Sequence, residues 1–496
     1  MLIKKDKDML ASYFEDASGM KGSYADFAAI AQSEKDISDF LIDASQKKIP
    51  VTIAGALTAN TGAGLSYGGA VLSLEKLNNI GEIEIHSDKK AFITVQAGAR
   101  LIDISDKVFK EGWLYPPDPT EKNSLIGGNI STNASGGRGF KFGSTRQYIQ
   151  SLKIIFSDGS IAQIKRGQYI ADLNGQISFQ TSSGIKQIVL PKYNLPKIKN
   201  AAGYYNYPNA DLIDIFIGSE GTLGVISEAK LLLLPAYKEL FGGIIFFDLP
   251  YGAFDFTLVV KNKIKNNDSY IKPMSLEYLD SNSINLIRPF YPQIPKDAKS
   301  AIMFEQDIYK EDDENLYIDK WIDFMRENQI DEDKVWFAQN IKEMQKFKEL
   351  RHKIPETVNA IVKRNAIPKV GTDFAVPDNR LKDIYDFCET KFKESGIFYL
   401  IFGHIGESHF HANIVASNEE EFIKTRKLYE QIIKKVIEYG GTVSAEHGIG
   451  KLRHIFLKEM VGQSGLKEMA KFKKSLDKSY ILCLDNIFPK EILDQS

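Results

Sequence analysis

Apolar and polar positions divide the chain into a strand-rich first half and a mixed remainder. Within residues 1–235, short apolar runs of strand length recur at 51–54, 92–96, 152–156 and 224–226, separated by turn signals such as Asp158-Gly159. This pattern predicts an α+β region with substantial sheet. Pro235 closes the apolar run 231–234 and marks a boundary. Residues 241–415 mix strand-like runs (243–247, 301–304) with helices, one of them over 311–329 and rich in Asp and Glu near its start. The segment 417–440 reads as a helix: Ser417 and Glu420 form a capping-box pattern, Phe422, Leu428, Ile432 and Val436 repeat at helical spacing, and Gly440-Gly441 supplies a stop. The remaining stretch is helical again and ends in a loop with an Ile487-Phe488-Pro489 tail. Long repeats and low-complexity linkers are absent from the sequence.

At 496 residues the chain exceeds the size at which a single core keeps growing, so two or more domains are expected. With 43% hydrophobic and 26% charged residues it reads as an ordinary globular protein. Lys+Arg (63) nearly balance Asp+Glu (65), which removes the electrostatic reason to expect nucleic acid or an anionic membrane as partner. The two cysteines, Cys388 and Cys483, cannot hold an Fe–S cluster or a Cys-rich zinc site by themselves, and low cysteine use fits a reducing compartment. The N-terminal residues lack a signal-peptide apolar region, and no apolar run reaches membrane-spanning length. A cytoplasmic enzyme is the expectation, with peripheral membrane attachment and a homodimer left open.

Three segments concentrate glycine with Asn, Thr and Ser: 55–62, 126–137 and 218–226. Glycine lets backbone N–H groups approach an anion closely, and small polar side chains add donors. Three such loops suit a large ligand with several polar parts, such as a dinucleotide. None is the strand-GxGxxG-helix unit with a later acidic residue, so a Rossmann site is disfavoured.

Four of the seven histidines fall in two short stretches near the C-terminus: His404, His409 and His411 in GHIGESHFHAN, and His447 in SAEHGIG. Two apolar runs flank the polar turn 406–408. If Glu407-Ser408 is a two-residue hairpin turn, 404 faces 411 and 405 faces 410, at a spacing that lets two imidazoles converge on one ion. By alternation His409 and Asn413 share that face, but the turn would expose His409, which reads as a bystander. Glu446 could add an oxygen ligand. Two His and one carboxylate leave open positions, as catalytic metal sites do. His447 reads as a general base beside that site.

The same residues carry a resemblance. The first glycine loop, the block Tyr115-Pro116-Pro117-Asp118-Pro119 followed by IGGNISTNASGG, and GSEGTLGVI resemble the FAD-binding domain of the vanillyl-alcohol oxidase (PCMH-type) flavoproteins. GHIGESHFHAN and SAEHGIGK resemble GHxGDGNLHxN and GEHGIG of the FAD-linked oxidoreductases with a type-4 C-terminal domain, which include D-lactate dehydrogenases, the flavin subunit of glycolate oxidase and D-2-hydroxyglutarate dehydrogenase. The resemblance implies a PCMH-type FAD-binding domain of two α+β subdomains (1–237), a ferredoxin-like α+β substrate domain carrying a metal site (238–440), and a C-terminal helical segment returning to the FAD domain (441–496).

It further implies FAD held non-covalently by Ala56, Thr58, Asn60, Thr61, Gly62, Pro117, Asp118, Gly127, Gly128, Asn129, Thr132, Asn133, Gly136, Gly137, Glu220, Gly221, Gly224 and Ile226. His404, His411 and Glu446 would bind a divalent metal, Zn²⁺ first, with Fe²⁺ or Mn²⁺ as alternatives. His447 would be the base, Asn413 a substrate contact and Arg351 the carboxylate-binding cation, with Lys369 a weaker second candidate. The chain departs from the family pattern at Leu57 and Ala59 (glycines), Asn60 (an apolar residue), Glu407 (Asp), His409 (Asn or Leu) and Cys483 (Asn). The implied reaction is oxidation of a small D-2-hydroxy acid, D-lactate first, with glycolate and D-2-hydroxyglutarate as alternatives, hydride passing to flavin N5. Electrons would leave to a quinone, a cytochrome, oxygen or an electron-transferring flavoprotein. A non-redox flavin-dependent synthase and an inactive flavoprotein subunit are the rival readings.

Overall fold

The computed structural model describes residues 1–309 and 313–495. Two compact units emerge. One comprises residues 1–136, 144–235 and 443–496; the other comprises 137–143 and 236–442.

The first unit contains two sheets and a short hairpin. Strands Leu2–Lys4, Phe27–Ile30, Ala70–Ser73 and Val51–Ala54 lie in that order, and the last three are parallel. The helix Glu34–Lys47 connects two of the parallel strands. Ser33 caps it by accepting from the Asp36 N–H, and it buries Ile37, Leu41 and Ala44. The second sheet is antiparallel, ordered Ile80–Ser87, Lys90–Gln96, Val225–Pro235, Ile149–Ile155 and Ile161–Lys165. Alternating burial along Lys90–Gln96 matches its half-apolar sequence. At the predicted turn after Ile155, Gly159 takes a positive φ of 79° and Asp158 accepts from the Ser160 N–H. The C-terminal segment belongs to this unit: Leu482 bridges Val51, and the Cys483 N–H donates to the Val51 carbonyl at 2.8 Å.

The second unit is an eight-stranded antiparallel sheet covered by helices on both faces. Its strands run Val335–Ala338, Glu239–Phe247, Ser300–Ile308, Ser275–Asp280, Phe398–Gly403, His409–Val415 and Val370–Gly371, with Phe374–Ala375 also pairing His409–Val415. One face packs Phe410, Ala412 and Ile414 against Phe254, Trp321, Ile384 and Ile432 of four helices. The other face packs Leu400, Phe402 and Leu279 against Leu350, Ile354 and Val358 of the helix Ile341–Asn365.

Two helix starts differ in detail from the sequence pattern. The helix predicted from 417 spans Glu419–Glu438, and its cap is Asn418, whose side chain accepts from the Glu421 N–H. Asn caps as well as Ser does, so the next residue takes over the role. The helix predicted over 311–329 spans Glu314–Glu327 with Asp313 as cap; positions 311 and 312 of that expectation lie outside the described residues.

Candidate functional site

In the first unit the three glycine-rich loops line one cleft of about 290 Å³, together with Glu446 and His447. Gly127 has no room for a side chain: a Cβ there would stand 2.8 Å from that of Ala97. Gly128 instead faces open space, and the buried Asn129 Nδ2 beside it lacks a protein acceptor. Bare backbone next to an unsatisfied amide fits a polar ligand lying against this wall.

Most of the expected cofactor contacts line the cleft; Thr61, Gly62, Pro117, Asp118, Asn133 and Gly137 do not. Thr61 accepts the Lys451 N–H, and Asn133 accepts the Arg146 N–H at 3.0 Å, so both brace loops from behind. Leu57, standing where the resemblance expects glycine, keeps a positive φ of 54°. Its side chain joins a small apolar cluster with Leu10, Tyr13 and Val71. Glu220 lines the cleft yet spends both carboxylate oxygens on the N–H groups of Ile449 and Gly450, each at 2.7 Å, which anchors the EHGIG loop. Burial outweighs those bonds and pushes its carboxyl up to about 7. Cys483 is buried behind the cleft and accepts from the Ile53 N–H at 3.4 Å. Glu446 accepts from Ser135 Oγ and Lys199 Nζ, both at 3.1 Å.

In the second unit, the hairpin that carries the clustered histidines has a different register from the predicted one. Phe402, not His404, pairs with His411, and Leu400 pairs with Asn413. The connection is a 3-10 turn, Ile405–Glu407, closed by Ser408 in the left-handed region (φ 52°), so the loop is longer than two residues. The His409 N–H donates to the His404 carbonyl at 3.3 Å. The slip is an even number of residues, so side-chain faces are preserved. His409 is fully buried rather than exposed by the turn, because Ala375 pairs with it across the sheet and Asp373 meets its ring.

The three imidazoles of this hairpin cluster tightly. Ring centroids are 5.1 Å apart for His404–His409, 5.5 Å for His404–His411 and 4.4 Å for His409–His411. Their ligand-capable nitrogens lie within 4.8 Å of one another. One nitrogen of each ring faces an acceptor: His404 Nδ1 meets Glu277 Oε1 in a short contact, His409 Nε2 meets Asp373 Oδ1 at 3.0 Å, and His411 Nδ1 meets the Thr372 carbonyl at 3.3 Å. An acceptor on one nitrogen holds the proton there and leaves the opposite nitrogen with its lone pair. Asn413 is buried on the same face.

Arg351, on the helix covering this face, lies 3.4 Å from the second oxygen of Glu277 and over the Phe402 ring at 5.1 Å. Burial opposes ionisation of Glu277, but the hydrogen-bonded contact with the His404 ring and the charge of Arg351 outweigh burial and hold its carboxyl below the ordinary range. Further along the same face, Glu305 takes Arg138 and Lys348, and Asp307 takes Lys141. Gly137 belongs to this unit; a Cβ there would lie 3.2 Å from Glu277 Oε1 and 3.8 Å from His404 Cε1. Lys369 is half-buried, with Nζ 3.2 Å from Asn359, and burial lowers its pKa.

Sequence reasoning missed Glu277, Asp373, Ser135 and Lys199. Glu277 carried a readable signal: an acid inside Ser275-Leu-Glu-Tyr-Leu-Asp, a run buried at every position, must find a partner.

Residues 25–165 match an FAD binding domain, and residues 254–483 match the C-terminal domain of FAD linked oxidases. The chain is 26% identical to a D-lactate dehydrogenase of Anaerostipes hadrus, over 91% of this chain and 87% of that one. It is 27% identical to the glycolate oxidase subunit GlcD of Bacillus subtilis, over 97% and 92%. A probable mitochondrial D-2-hydroxyglutarate dehydrogenase of Oryza sativa subsp. japonica is 24% identical, over 99% and 80%. Among solved structures, an alkyldihydroxyacetonephosphate synthase superposes with a TM-score of 0.65 at 14% identity, over 97% of this chain and 81% of that one, which speaks to the shared fold alone.

Proposed function

In a chain that belongs to the FAD-linked oxidoreductases, with a PCMH-type FAD-binding domain and the FAD-linked oxidase C-terminal domain, we propose that the reaction is oxidation of a small D-2-hydroxy acid to the 2-oxo acid, D-lactate to pyruvate first. The observation that carries this reading is the trio of imidazoles standing beside a guanidinium, with Glu277 between them. That is chemistry for a hydroxyl next to a carboxylate.

FAD, when bound, supplies the two-electron acceptor; the glycine cradle and the unsatisfied Asn129 amide fit it. A divalent ion fits the imidazole trio. Its ligand nitrogens lie within 4.8 Å of one another, so small side-chain shifts would bring them to about 2.1 Å from a shared ion. Such an ion would supply Lewis acidity to the substrate hydroxyl. His404 and His411 are the nitrogen ligands of this reading, and Glu446 keeps the oxygen-ligand part that the sequence motif assigns it. Arg351 fixes the carboxylate by a bidentate bond, releasing Glu277 in part. His447 takes the hydroxyl proton on a ring nitrogen, and Asn413 orients the substrate.

Glycolate and D-2-hydroxyglutarate are the alternative substrates, both supported by the names of relatives. Electrons then pass to an external acceptor, a quinone, a cytochrome or an electron-transferring flavoprotein. Among the described residues no helix is long and apolar enough to cross a membrane; a cytoplasmic protein, peripheral to the membrane or not, is the proposed location. The deciding experiment is an anaerobic titration of the purified flavoprotein with D-lactate, glycolate and D-2-hydroxyglutarate, with metal analysis. Bleaching of the flavin by one of them is expected. An intact flavin spectrum with all three would favour the non-redox synthase reading, and a preparation without flavin the inactive-subunit reading.

A further inference from the structure

Glu277 is the only described carboxylate that touches both the imidazole cluster and the arginine read as the substrate's carboxylate partner, and no motif pointed to it. We propose that Glu277 is a positioning residue that sets the tautomer of His404 for metal binding and holds Arg351 ready for the substrate, so that the two halves of the site are organised by one side chain. This rests on the hydroxy-acid reading above and names how its metal and carboxylate subsites are coupled.

Glu277 sits mid-strand in Ser275–Asp280, on the face that also carries Leu279 and is covered by the helix Ile341–Asn365. It is 4% exposed, and a buried carboxylate needs strong partners. Its two oxygens are divided: Oε1 meets His404 Nδ1, and Oε2 stands 3.4 Å from Arg351 Nη2. An oxygen on Nδ1 holds the imidazole proton at that nitrogen and leaves the Nε2 lone pair for an ion, the arrangement by which carboxylates orient metal-binding histidines. The neighbouring wall is shaped for it. Gly137 lies so near that any side chain there would press on the same oxygen, at 3.2 Å. The adjoining cations are engaged elsewhere, since Lys348 and Arg138 bind Glu305 at 3.0 and 2.9 Å. Arg351 is therefore the cation that Glu277 presents, and its 3.4 Å contact is longer than a fully formed charge-assisted bond. A substrate carboxylate can compete for it.

A plain structural staple between strand and helix is the competing account, and Glu277→Gln separates the two. An amide has one acceptor. If it turns its oxygen to His404, its NH2 faces the guanidinium, donor to donor; if it turns the other way, it forces the His404 proton onto Nε2. The full-length flavoprotein, stripped of metal and titrated with Zn²⁺ against a chromophoric chelator, should bind Zn²⁺ roughly 10- to 100-fold more weakly as Glu277→Gln. KM for D-lactate should rise by a larger factor than kcat falls, and Glu277→Asp should recover part of both. A folded Glu277→Gln variant with wild-type Zn²⁺ affinity overturns the proposal.

The metal-free wild type offers a test that does not depend on the variant folding. In ¹⁵N-histidine-labelled protein, the His404 signals, identified by their loss in His404→Gln, should show the proton on Nδ1. A proton on Nε2 overturns the proposal. Both readouts are distinct from flavin bleaching: a protein that no hydroxy acid reduces sinks the functional reading, while Zn²⁺ affinity and tautomer still report on Glu277.

Discussion

Leu57 and Glu220 show what single residues in the flavin-domain loops do. Leu57 holds a left-handed conformation (φ 54°), which costs a non-glycine residue about 1–2 kcal/mol. Half-burying a leucine returns an amount of the same size, since full burial contributes about 1.5–3 kcal/mol. Leu57→Gly should therefore leave stability within about 1 kcal/mol of wild type and keep flavin bound. A loss beyond about 2 kcal/mol in denaturant unfolding would show that the apolar cluster dominates.

Glu220 makes a pH prediction. Its carboxyl titrates at about 7 in the folded chain against an ordinary value of 4.5, because burial opposes its charge. The folded state then binds more protons than the unfolded state between those values, so this group's contribution is complete at low pH and is lost as pH rises through about 7. Melting curves of Glu220→Gln between pH 5 and 8 should lack that fall; an unchanged slope would show that Glu220 titrates normally. For His447 as the proposed base, His447→Ala should keep flavin and any bound metal but lower turnover roughly 10²- to 10⁴-fold. Near-normal turnover would remove His447 as the base.

Among the elements, the helix Ile341–Asn365 links sequence to site most directly. It spans 25 residues and contains Pro355. A proline in a helix interior lacks the N–H that would bond to the carbonyl four residues earlier, and its ring crowds that carbonyl. Four residues before Pro355 is Arg351. The proline thus loosens the backbone at the residue whose side chain meets Glu277. Pro355→Ala should stabilise the protein by about 1–3 kcal/mol and raise KM for the hydroxy acid, as Arg351 settles into a regular turn. A higher melting temperature with unchanged KM would separate the proline from the site. The hairpin 398–415 teaches a complementary lesson. Its alternation was readable, so the shared face of His404, His409, His411 and Asn413 follows from sequence parity. Its register was not, because a 3-10 turn closed by a left-handed Ser408 resembles a two-residue turn in the sequence.

For the whole molecule, each unit is organised around its own sheets, and the chain crosses from one unit to the other more than once. The C-terminal segment is fastened inside the first unit by Lys473, whose Nζ donates to the Thr222 and Leu482 carbonyls and pairs with Asp477 at 2.8 Å. Both side chains are nearly inaccessible. Removing one partner of a buried pair typically costs about 3–5 kcal/mol, so Lys473→Met should unfold at markedly lower denaturant and release flavin. A loss under about 1 kcal/mol would show that the segment is held by its apolar contacts instead.

Local patterns in the chain determined the α+β character, most strand and helix positions and the glycine-rich cradle. These follow from periodicity, turn chemistry and side-chain type, all of which act over a few neighbouring residues. Tertiary structure alone decided the partners. It buried His409, gave each imidazole its acceptor, set Glu220 on the EHGIG loop and placed Glu277 between His404 and Arg351. Those contacts join residues far apart in the chain. Their energies depend on burial and on distances of a few ångströms, which no local pattern encodes.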